Sequence, residues 1–117
     1  MPGINGERML LLAAVGEGAT GVVLLVVPSV VGRLLLGEAL TGVAIPFARV
    51  TGIALVGLGI ACWPGPPRVG MLTYSAAVTL YLAYVGFADG LAGTLLWPAV
   101  ALHVIVTVLL MHASRRA

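Results

Sequence analysis

The chain is short of charge. Lysine is absent, and six arginines, three glutamates and one aspartate make up 9% of 117 residues, against about 25% in soluble globular domains. A water-facing surface cannot be covered with so few, which excludes a soluble globular fold. A single cysteine, Cys62, excludes an internal disulfide and a cysteine-based metal cluster; beside Trp63 it reads as a small apolar packing residue. Only two histidines are present, and His103 and His112 lie nine residues apart, which is not metal spacing on one helix face. HExxH and a serine-centred nucleophile motif are both missing, so an enzyme is not expected. With no cluster of basic residues and no length for a groove-reading module, nucleic acid is not an expected partner either.

Apolar residues fill the space left. They are 61% of the chain, with a mean hydropathy of +1.15. They gather in four stretches, 9–31, 43–63, 70–88 and 91–112, each about the length that crosses a ~30 Å hydrocarbon core as a helix. The pattern predicts an all-α integral membrane protein: a four-helix bundle, up-down-up-down, forming one transmembrane domain over 1–117 with the lipid bilayer as its surroundings. Pro64-Gly65-Pro66-Pro67 cannot continue a helix and predicts a firm turn. Pro46 and Pro98 mark helix beginnings, where a missing amide costs little. Asp89–Gly93 is short enough to force a hairpin. Residues 29–36, with a cap at Ser29 and a stop at Gly37, predict a short helix along the interface. A cleaved signal peptide is not expected: apolarity resumes at Val22–Val27, and Glu17 would stand where a cut after Ala19 wants a small residue.

The arginines are unevenly placed. Arg8, Arg68, Arg115 and Arg116 fall on one side of this layout and Arg33 on the other, with Glu38 and Asp89. The positive-inside rule then predicts both termini and the 64–69 loop in the cytoplasm. Arginine without lysine, amid abundant Ala, Gly and Val, suggests a GC-rich genome and hence a bacterial cytoplasmic membrane. Trp63 and Trp97 are expected at the two interfaces.

Inside the spans lie Glu17, Arg49 and His103, where an ionisable group costs at least about 2.5–3.5 kcal/mol. At about 1.5 Å per residue, Glu17 is roughly 12 Å from one face, His103 roughly 16 Å from the other, and Tyr81 roughly mid-membrane. Glu17, Arg49, Tyr81 and His103 are therefore expected to share one interior polar layer, serving as a buried cluster or as a proton or ligand site. Small residues near them, such as Ala13, Ala14, Thr20 and Gly21, and the Gly86/Gly90 pair, would let backbones approach. One reading makes Glu17 and Arg49 a structural ion pair. In the other, Arg49 reaches toward the headgroups and desolvation leaves Glu17 as a neutral acid, the part that a proton-coupled carrier needs.

In size, span count and a glutamate midway along the first span, the chain resembles the small multidrug resistance transporters. That resemblance implies competitive binding of cations and protons at the matching residue, Glu17, in a two-chain assembly. The chain departs from the family in lacking an Ala-Tyr-Ala-Trp-type stretch at Tyr74–Tyr84, in placing Arg49 where it competes with a cation, and in an arginine bias unsuited to dual insertion. The family is accordingly not carried over. Ala99 and His103 have the Ala-xxx-His spacing of light-harvesting polypeptides, which makes His103 a candidate axial ligand for a haem or pigment; no cofactor is otherwise indicated. The leading expectation is a non-enzymatic accessory subunit or oligomeric scaffold, in a homo-oligomer or a larger membrane complex.

Overall fold

The computed structural model describes residues 6–116, with side chains to Ala113. It contains five helices: α1 (Gly6–Val26), α2 (Pro28–Leu36), α3 (Ala44–Cys62), α4 (Arg68–Ala88) and α5 (Leu96–Arg116). No strand occurs among the described residues. The protein is all-α, and α1, α3, α4 and α5 are each long and apolar enough to cross a membrane. Five threonines, Thr20, Thr51, Thr73, Thr79 and Thr107, donate their hydroxyls to the carbonyl four residues back. Where no water is present, this satisfies each hydroxyl on its own helix. Arg115 and Arg116, counted above for orientation, have side chains outside the described residues.

Two span boundaries differ from expectation. The first crossing ends at Val26, short of residue 31. Pro28 has no amide to offer Leu24 and pushes Val27 out of helical geometry, leaving Val27 at φ −130°, ψ 61°. Residues 28–31 therefore belong to α2. That helix ends at Gly37, in the left-handed region at φ 85°, as glycine permits. Ser29 does not cap it; its hydroxyl donates to the Leu40 carbonyl (2.9 Å) and ties α2 to the following loop. The fourth crossing starts at Leu96, since 91–95 are used in a connection that turns at Gly90 (φ 67°). Gly90 touches nothing, whereas Gly86 packs on Leu96 and Trp97, so the pair is not a joint packing motif.

The crossing helices stand side by side as an open row: α1 on α3, α3 on α4, α4 on α5, with no contact between α1 and α4 or α5. The molecule measures 52 × 45 × 17 Å, about the depth of one helix layer. The cause is legible on α3, which carries two seams of small residues. A Cβ on Gly52 would meet the Gly21 carbonyl at 2.6 Å, and one on Gly59 the Ala14 carbonyl at 2.9 Å. A Cβ on Gly57 would meet Gly70 and Tyr74, and one on Gly70 would collide with the Gly57 carbonyl. At about 100° per residue, Gly52 and Gly59 share one face while Gly57 and Ala61 point well away from it. Two backbone-close contacts on widely separated faces place α1 and α4 on opposite sides of α3, and the row cannot close. Burial is deepest along α4, where Val78 is 1% and Ser75 0% exposed.

Candidate functional site

Arg49 sits on the α3 face that meets α1, and its Nε–H donates to the Leu25 carbonyl (3.3 Å). The last carbonyls of a helix have no intrahelical partner, and α1 stops at Val26, just before the break at Val27–Pro28. A cation beside it also meets the negative end of the helix dipole. Arg49 is thus the C-terminal cap of α1, which accounts for a guanidinium at this depth.

Glu17 is half-buried and makes no hydrogen bond or ion pair with any described residue. The α1 residues that face α3 are Ala14, Gly18, Gly21 and Leu25. At about 100° per residue Glu17 falls roughly 60° to one side of that line. The expected Glu17–Arg49 pair is not formed: the carboxylate lies on a flank, and the guanidinium is engaged two turns further along.

His103, on α5, is three helices away from Glu17 in the row. Its Nδ1 lies 2.7 Å from the Ala99 carbonyl. A carbonyl only accepts, so Nδ1–H is the donor. The Ala99–His103 spacing is thereby explained as an ordinary bond to the carbonyl one turn back. The imidazole meets Tyr74, a residue outside the expected polar layer, edge-on (centroids 5.8 Å, 69°). Tyr81 instead stacks on Tyr84 of its own helix (6.5 Å, 30°). Glu17, Arg49, Tyr81 and His103 therefore do not converge within one chain: Glu17 lies on a flank of α1, Arg49 between α1 and α3, Tyr81 against Tyr84 of its own helix and His103 between α4 and α5. Their only signal in the sequence was depth, which says nothing about which helices are neighbours.

Further features are chemically relevant. Ser75 is fully buried, and its hydroxyl has no partner, an arrangement that costs about 1–3 kcal/mol. No group of three or more His, Cys, Asp or Glu able to hold a metal occurs among the described residues. A groove of about 430 Å³ opens beside the α1–α3 seam, walled by Ala14, Gly18 and Val22 of α1, Val56, Gly59 and Ile60 of α3, the Trp63–Pro66 turn and Val69. Glu17 lies on the other flank of α1 from Val22 and does not line it. Trp97, at the opposite end, packs on Phe87 (4.8 Å).

Comparison with protein families, with curated proteins and with solved structures finds no match in any of the three.

Proposed function

We propose that the protein is a non-enzymatic membrane building block, a small subunit that assembles with copies of itself in a bacterial cytoplasmic membrane, both termini and the 64–67 turn facing the cytoplasm. The observation that carries this reading is the open row. Only one helix thick at 17 Å, it leaves α1 and α5 each with one long face uncovered and leaves Glu17 on a flank without a partner. In lipid, helices associate through close packing and interhelical hydrogen bonds. A second copy laid against the row supplies both, and gives a mid-membrane carboxyl the partner its own chain withholds. Counting of bleaching steps for singly labelled protein, reconstituted at one chain per many thousands of lipids, is expected to give two or more chains per particle. A distribution matching random co-capture of monomers would refute it.

A second reading is favoured by one observation. With Arg49 committed to the α1 terminus, the Glu17 carboxyl has no cation holding it, which suits a proton-linked carrier. For that reading, addition of a transported solute to purified protein is expected to release protons, and Glu17→Gln is expected to abolish the release. If no solute releases protons from wild type, the carrier reading fails and the scaffold reading stands.

A further inference from the structure

The groove beside the α1–α3 seam is independent of both readings above. Its side-chain walls are apolar apart from the indole N–H of Trp63, and Ala14, Gly18 and Gly59 contribute almost no side chain to them. About 430 Å³ falls within the ~300–1,000 Å³ of small-molecule sites. The Trp63–Pro66 turn, between the end of α3 at Cys62 and the start of α4 at Arg68, walls part of the groove; the ends of crossing helices stand where hydrocarbon gives way to headgroups. Val69 is part of the wall, and the residue before it, Arg68, is half-buried. Arg68 brings a positive charge to the start of α4, next in sequence to that wall. An apolar slot beside a helix start that carries a guanidinium matches one kind of molecule: a long hydrocarbon chain attached to an anion. Basic pockets between crossing helices bind anionic headgroups for this reason.

We propose that this groove is a lipid site, taking one acyl chain of an anionic phospholipid between α1 and α3 with its phosphate against Arg68.

Trp63 stands at the rim, 55% exposed, and reports on the site directly. In a Trp97→Phe background, Trp63 is the remaining tryptophan, and Phe keeps a ring beside Phe87. Proteoliposomes containing phosphatidylglycerol or phosphatidylcholine with brominated acyl chains are compared at equal mole fractions. Bromine quenches tryptophan at contact range, so half-maximal quenching is expected at about fivefold lower mole fraction of the anionic lipid. Arg68→Gln is expected to make the two lipids equivalent. Val69→Phe, which fills the slot at an exposed wall position, is expected to weaken quenching by both. Equal quenching of the parent protein by the two lipids would overturn the proposal, as would a preference that survives both substitutions. Complete protection of Trp63 from either lipid would mean that protein covers the groove, and would overturn it too. Should Val69→Phe fail to insert, native mass spectrometry of the parent and Arg68→Gln proteins decides: retention of phosphatidylglycerol that does not depend on Arg68 refutes the site.

Discussion

Gly52→Ala is expected to separate α1 from α3 and to destabilise the fold by about 3 kcal/mol or more. A methyl at this position would lie 2.6 Å from the Gly21 carbonyl and 2.9 Å from the Leu25 amide nitrogen. Both obstacles are backbone, so relief requires moving a whole helix. Inserting a methylene into a packed core costs about 1–3 kcal/mol where side chains can adjust; here none can. The separation also draws the Leu25 carbonyl away from Arg49, adding the loss of a charged hydrogen bond. Gly16→Ala supplies the contrast, since nothing lies within 4 Å of that position and alanine is the better helix former by about 1 kcal/mol. Equilibrium unfolding in mixed micelles measures both. Equal stability of Gly52→Ala and wild type would show that α1 and α3 do not approach backbone to backbone.

Arg49→Gln is expected to cost about 1.5–3 kcal/mol, the range for a hydrogen bond to a charged group, and to do so independently of Glu17. The guanidinium holds the α1 terminus through Leu25, so its loss should loosen the break at 27–28 first. Hydrogen exchange of the amides flanking Pro28 should then accelerate more than that of the α4 core near Val78. Glu17→Gln, replacing a carboxyl with no partner among the described residues, is expected to change stability by less than about 0.5 kcal/mol or to raise it. A double-mutant cycle decides between a cap and an ion pair, because residues without a shared contact add within about 0.5 kcal/mol. Coupling well above that between positions 17 and 49 would restore the pair. Arg49→Lys tests the geometry: a lysine keeps the charge but not the Nε donor, and recovers only part of the stability.

Much of the architecture could be read from single residues. Span number follows from apolar length, because a bilayer sets how many residues a helix needs. The Pro64–Pro67 turn and the stop at Gly37 follow from proline's missing amide and glycine's tolerance of positive φ. Pro28 carries the same local signal, but lies inside a continuous apolar run, so hydropathy carried the first span past it to residue 31. The site was less legible. Glu17, Arg49 and His103 lie in helices long and apolar enough to cross a membrane, yet equal depth does not make neighbours. Arg49 is held by a backbone carbonyl, and a carbonyl has no residue type by which a sequence could announce it. Tyr74, not Tyr81, meets His103: the two tyrosines lie on nearly one face of α4 about two turns apart, and helical spacing does not say which of them the histidine meets.

The sequence alone determined that this is a helical membrane protein with four crossings, since transfer of apolar side chains from water is additive along a chain and needs no partner. Tertiary structure alone decided that the helices line up in a row and that the polar residues lie apart in it. Two faces of α3, each stripped of side chains at glycine, admit a backbone on either side, and the angle between those faces is a property of three helices packed together rather than of any one segment.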